Sequence, residues 1–192
     1  MIKGKRLLAT IPAALLAGGL AMGGLLAGCS VAPPTAGERA ALSTNAKATL
    51  ASFKAKDPTL APLLKNAVGY AIFPNIGKAG FILGGANGRG EVYERGRLIG
   101  FADVSEITAG ATVGAQTFSQ ILIFLRQSDL DIFKKGDWAP TGNISAVALS
   151  KGGAGTTDPR KGVIALVDTK GGLMAEAAVG GQRYRFIPLS AM

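Results

Sequence analysis

Along residues 38–56 the apolar side chains Leu42, Ala46, Leu50 and Phe53 recur at helical spacing on a polar, Ala- and Lys-rich background with no internal Gly or Pro. This single apolar face predicts an amphipathic helix that stops before Pro58. The stripe is narrow and mostly alanine. It suits packing on the chain's own sheet, with lying on a membrane surface as the alternative. A second, short helix is predicted at 60–66. From Val68 the texture turns to β-formers, over 68–73, and halts at Pro74-Asn75. Segments 80–85 and 90–95 flank Ala86-Asn87-Gly88-Arg89, where Asn-Gly is a strong hairpin signal, and Arg95-Gly96 marks another turn. Residues 98–104 read as the next strand. The run 107–125, with Gly110 and Gly114 inside it, reads as one bent strand or two.

Further on, Ser128-Asp129-Leu130-Asp131 reads as a cap before a short helix at 130–135, with Asp129 as the capping residue and Gly136 at the end. Segments 144–149, 163–167, 173–179 and 183–187 complete the strands. The sum is an α+β fold. Its antiparallel, strongly bent sheet or partly closed β-barrel has the N-terminal helix and one short helix packed against it. No repeated βαβ unit is visible, which argues against a doubly wound nucleotide-binding fold.

The first 28 residues have a different pattern. Lys3, Lys5 and Arg6 precede an uncharged run, 7–27, rich in Leu, Ala and Gly, which ends Leu26-Ala27-Gly28-Cys29. A charged start followed by an apolar stretch is the layout of a secretory signal. Its end resembles the lipobox of bacterial lipoproteins, which implies cleavage before Cys29 and acylation of that cysteine. An uncleaved membrane helix would need about 20 apolar residues, and Pro12 with four glycines weakens that reading. Ser30 in the next position resembles the sorting pattern for the outer membrane of a Gram-negative host, on its periplasmic face. The expected organisation is a signal peptide at 1–28, a lipidated tether at 29–37 and one domain at 38–192. The tether's prolines would hold it extended.

Composition narrows the chemistry. The chain has no histidine and one cysteine, so it can build no Ser-His-Asp triad, Cys-His dyad, His-ligated metal site or internal disulfide. Asp103, Glu106, Asp129 and Asp131 form no evident acid/base constellation, and we expect neither an enzyme nor a cofactor. The net charge is +9, and three of the 21 basic residues lie in the first 28. The basic excess that remains favours anionic partners. Scattered cations without interleaved aromatics argue against nucleic acid. The glycines of 84–90 match neither G-x-G-x-x-G nor the P-loop spacing and read as a tight hairpin.

The ordered set Leu64-Lys65-Asn66-Ala67-Val68-Gly69-Tyr70-Ala71-Ile72-Phe73-Pro74, then Ile76-Gly77-Lys78-Ala79-Gly80-Phe81, Gly84-Gly85, Gly88-Arg89-Gly90, the 110–116 stretch, Ile121-Leu122-Ile123-Phe124 and Trp138 resembles the SYLF domain, over roughly residues 40–187. That family is lipid-binding. The resemblance implies a membrane-binding domain, with phosphoinositides as ligands in eukaryotic members. An exported protein does not normally meet those lipids, so general anionic-lipid binding is what carries over. The alternative is a structural or interaction protein of the cell envelope that docks a protein partner.

A phosphate-bearing headgroup needs cations and free backbone N–H groups near a loop. The candidates are Lys78 between its flanking glycines, Arg89 in the Asn-Gly turn, and Arg160 with Lys161 in a loop at 152–162. Each could equally be an ordinary solvated charge. Trp138 is expected to be a buried anchor and not a ligand platform.

Overall fold

The computed structural model describes residues 33, 35–80, 83–109, 114–140, 144–148, 161–169 and 181–192. Helix α1, Ala36–Lys56, starts two residues before the sequence expectation because Thr35 and Glu38 form a capping box. The Glu38 N–H donates to Thr35 Oγ1 at 3.1 Å, and the Thr35 N–H donates back to the Glu38 carboxylate at 3.2 Å. Helix α2, Leu60–Asn66, has the expected bounds.

Among the described residues, seven strands form one sheet in the order β5-β6-β4-β1-β2-β3-β7. They are β1 Gly69–Gly80, β2 Leu83–Glu94, β3 Arg97–Ala109, β4 Gly114–Phe124, β5 Ile144–Ala148, β6 Val163–Thr169 and β7 Gln182–Pro188. Helix α3, Gln127–Lys134, lies between β4 and β5. The expectation of a wholly antiparallel sheet is corrected at one pair, because β5 runs parallel to β6. A parallel pair needs a long crossover, and residues 149–162 supply the length.

Two turn expectations divide. Arg95 and Gly96 have φ of 50° and 77°, so they make the tight two-residue β2–β3 turn. Asn87-Gly88 makes no turn. Both residues lie inside β2, Asn87 paired with Gly77 and Gly88 with Ile76. Sheet packing is what selects Gly88. A Cβ there would come 2.7 Å from the Asn75 carbonyl oxygen and 2.9 Å from Ile76 Cγ1. Likewise β1 does not stop at Pro74. It continues to Gly80 through a bulge, with its register against β2 shifting between Ile72 and Asn75. The run 107–125 resolves into the end of β3 and all of β4. Gly110 and the proposed strand 173–179 lie outside the described residues.

The sheet's two faces are packed differently. On the outer face α1 and α2 bring Ala46, Phe53 and Leu60 onto Ile72, Ile121, Ile123, Ile164 and Leu166. The N-terminal helix therefore spends its apolar stripe on its own sheet. On the inner face Phe73, Ile76, Phe118, Leu122 and Tyr184 meet Leu130 and Phe133 of α3 and Trp138. Trp138 is 5% exposed, exchanges backbone hydrogen bonds of 2.8 Å with Tyr184, and sets its ring against Phe124, Phe133 and Tyr184. It is the buried anchor expected of it. Gly136, with φ of 84°, follows the end of α3.

A side-chain bridge shows how far the sheet curls. Gln120 of β4 donates to Gln182 of β7 at 3.1 Å, although three strands separate β4 from β7. In a flat sheet those strands would lie roughly 19 Å apart. The sheet is thus a half-barrel closed across its interior by polar side chains. Small residues on the inner faces of β2 and β3 make room for this. A Cβ on Gly90 would clash with the Ile72 carbonyl and come 2.7 Å from the Phe73 ring. Gly90→Ala should therefore lower stability by about 1–3 kcal/mol, the usual cost of overpacking. Urea unfolding followed by circular dichroism checks this, and a variant as stable as the parent would contradict the packing described.

Candidate functional site

Among the described residues, the outer face beyond the bulge is open. Asn75, Asn87, Arg89, Ser105, Arg183 and Arg185 are exposed there. The pairing of β2, β3 and β7 puts Arg89, Asp103 and Arg185 in one row and Asn87, Ser105 and Arg183 in the next. Ile107 follows on β3 at 86% exposure. A depression of about 570 Å³ runs between Asn75, Gly77, Asn87, Gly88, Arg89 and the Asp103–Ser105 segment. Strand spacing sets Arg89 and Arg185 roughly 10 Å apart at their Cα atoms, and Arg183 roughly 7 Å from Arg185.

Asp103 is the lone carboxylate in these rows. Burial raises its pKa above the usual carboxylate value. The Arg185 and Arg89 charges and the Arg185 backbone N–H pull against that rise without cancelling it. Arg89 and Arg185 thus act on one carboxylate that holds its proton more readily than usual, and Arg185 Nε also lies 3.8 Å from Asp137 Oδ1. Arg183 and Arg185 were missed by sequence reasoning. The alternation Arg183-Tyr184-Arg185-Phe186 was the available signal, since it puts both cations on the face opposite the aromatic rings.

The other candidates go elsewhere. Lys78 is in β1 and not in a loop, and it points inward. The row there reads Gln116, Lys78, Ala86, Glu106 and Gln182 across five strands. Ala86 is short enough for Lys78 Nζ to pass over it and reach Glu106 Oε1 at 2.7 Å. The Lys78 side chain is 11% exposed and that of Glu106 is 0%. Lys161 is exposed just before β6, at the end of the sheet remote from Lys78. There Gly162 sits beneath an ion pair, because a Cβ on it would run into Arg126 and Asp129. Arg160 and Cys29 lie outside the described residues. Lys78, Arg89 and Lys161 therefore face three different environments, and only Arg89 joins a cationic surface.

The acidic candidates are also separated. Asp103 and Glu106 are on opposite faces of β3. Asp129 does not cap α3, whose N-cap is Arg126. Its carboxylate instead accepts from Arg126 Nε at 2.8 Å. Asp131 accepts from Gln127 at 3.0 Å, and Gln127 and Lys134 together hold its pKa down. Under α1 the buried Glu91 accepts from the Tyr93 hydroxyl at 2.5 Å; burial first, and that bond second, push the Tyr93 pKa up. Among the described residues no three His, Cys, Asp or Glu side chains are grouped to hold a metal ion. Among them no helix is long and apolar enough to cross a membrane. Compared with known proteins, the chain matches no protein-family model and no curated sequence.

The Lys78–Glu106 pair carries a stability prediction. Removing one member of a buried pair leaves a lone buried charge and costs about 3–5 kcal/mol, whereas replacing both with apolar residues is often near neutral. Lys78→Met should be strongly destabilising, and Lys78→Met with Glu106→Leu should recover most of the loss. Thermal unfolding of the three proteins distinguishes this from a surface lysine, for which the single change would be nearly silent.

Proposed function

We propose that the chain is a membrane-anchored lipoprotein of the SYLF type. Acyl chains on Cys29 hold it to the periplasmic leaflet of an outer membrane, and the open outer face of its half-barrel engages anionic lipid headgroups. The observation that carries this reading is the outward cluster of Arg89, Arg183 and Arg185 on two adjacent rows, with Asp103 between Arg89 and Arg185 and Ile107 exposed beyond them. Guanidinium groups suit phosphate because their planar forks donate two parallel hydrogen bonds. An exposed isoleucine beside them suits insertion among headgroups. The division of labour follows from magnitudes. Each buried methylene contributes about 0.8 kcal/mol, so two or three acyl chains supply residence. Each cation near an anionic surface adds about 1 kcal/mol and supplies lipid preference. The resemblance of the ordered motifs to a lipid-binding family supports the same reading.

Three outcomes are expected. Cys29→Ala should shift the protein from the membrane to the soluble fraction of its host. For the unlipidated chain from residue 30, replacing Arg89, Arg183 and Arg185 together by Ala should weaken binding to phosphatidylglycerol vesicles by roughly a hundredfold, at about 1 kcal/mol each. The parent's binding should also fall as salt rises. The third outcome concerns pH. Because the Asp103 pKa is raised, its charge is lost at a higher pH than for an ordinary aspartate. Vesicle binding should therefore tighten as pH falls through that raised value, and Asp103→Asn should abolish the step. Co-sedimentation across salt and pH reads both. Equal binding by the triple variant would remove the arginine face from the account. Capture of an envelope protein with no lipid dependence would favour the docking role instead.

A further inference from the structure

A second cationic place lies at the β2–β3 turn, roughly 20 Å along β2 from Arg89. There a cavity of about 440 Å³ is lined by Leu50, Lys54, Leu64, Lys65, Tyr70 and Arg95, among others. Its volume is within the range of small-molecule sites, about 300–1,000 Å³. Among the described residues none of its three cations has an ion-pair partner. The carboxylates nearest in sequence are engaged elsewhere. Asp57 accepts from the Thr59 N–H at 2.9 Å, and Glu91 from the Tyr93 hydroxyl at 2.5 Å. Glu94 accepts from Gln127 at 2.8 Å and from Lys134 at 3.1 Å. Lys54 and Lys65 belong to the last turns of α1 and α2, where the helix dipole favours a cation. Arg95 has no such local reason. It is the first residue of a two-residue hairpin turn, with φ of 50°, and such turns favour Asn, Asp or Gly there. Among the described residues only Arg95 and Asp137 combine a side chain with positive φ.

We propose that this cavity is a binding site for a free organic anion, one with a doubly charged head on a small apolar body, as in a phosphate monoester or a dicarboxylate. Three cations around one concave space call for more than one negative charge, and the planar fork of Arg95 donates paired hydrogen bonds to such a head. Leu50 and Leu64 offer carbon surface to the body. Tyr70 is half-buried, and its ring is braced by stacking on Tyr93 at 4.9 Å. Burial first, and the Glu91 charge second, raise the Tyr70 pKa, so its hydroxyl stays neutral beside the anion. The cavity shares no residue with the arginine face and does not depend on that face binding lipid.

The test titrates phenyl phosphate into the acylated chain held in phosphatidylcholine nanodiscs and follows the methyl signals of Leu50 and Leu64. These should shift along a saturating curve. Inorganic phosphate should bind at least tenfold more weakly, and phenol should give no saturation. Arg95→Asn should weaken phenyl phosphate binding at least tenfold without lowering the unfolding temperature, because Asn suits the turn. Lys54→Gln with Lys65→Gln, both at exposed positions, should weaken it further. Arg89→Ala should leave it unchanged, which separates this site from the lipid-binding face. Equal binding by the parent and Arg95→Asn, saturation by phenol, or a linear response in the parent would overturn the proposal. So would displacement of phenyl phosphate by short-chain phosphatidylglycerol below its micelle-forming concentration, since the ligand would then be a lipid headgroup.

Discussion

The bond between Gln120 and Gln182 joins two strands with three others between them, and the rest of the molecule depends on the curl that it records. A sheet bent this far must carry small residues where its strands crowd and large ones where its interior must be filled. Gly88, Gly90 and Ala102 supply the first, and Phe73, Ile76, Phe118 and Tyr184 the second. The curl also creates an inside. Once polar groups line it they must satisfy one another, because a buried polar atom without a partner is costly. Lys78, Glu106, Gln120, Gln182 and Tyr184 largely do so.

The bulge at Pro74 sorts the two faces. Before it, Ala71 and Phe73 point inward and Ile72 points to the helices; after it, Ile76 and Lys78 point inward. One extra residue thus reverses the parity of the central strand. Before the bulge the sheet is covered on both sides by apolar contacts. Beyond it the outer side is left to Asn75, Asn87, Arg89 and the arginines of β7. Among the described residues, an exposed cationic surface arises next to a sealed core because a single strand serves both.

Much of this was legible in the sequence. The helical stripe through Ala46, Leu50 and Phe53, the Arg95-Gly96 turn, the buried Trp138 and the bent, glycine-rich α+β architecture follow from local pattern, and local pattern decided them. Where the reading went wrong, distant packing had decided. Asn87-Gly88 looks like a turn because the pair tolerates positive φ, yet here Gly88 serves a neighbour's side chain. Lys78 looks like a loop cation because glycines surround it. Its partner Glu106 is 28 residues away and meets it only through the strand pairing. The row of Arg89, Asp103 and Arg185 draws on three strands, so no local window contains it.

The central claim is that the curl sends Lys78 inward and makes the Arg89–Arg185 face the surface that meets lipid. An environment-sensitive fluorophore attached at Ser105→Cys, in the middle of that face, tests it most directly in the chain anchored to vesicles through acylated Cys29. The control is the same label at Lys47→Cys on the exposed side of α1. We predict that replacing neutral lipid by anionic lipid moves the Ser105 label into a drier environment, with a blue-shifted emission, and leaves the Lys47 label unchanged. A shift at Lys47 with none at Ser105 would contradict the claim and make the helix side the lipid-facing surface.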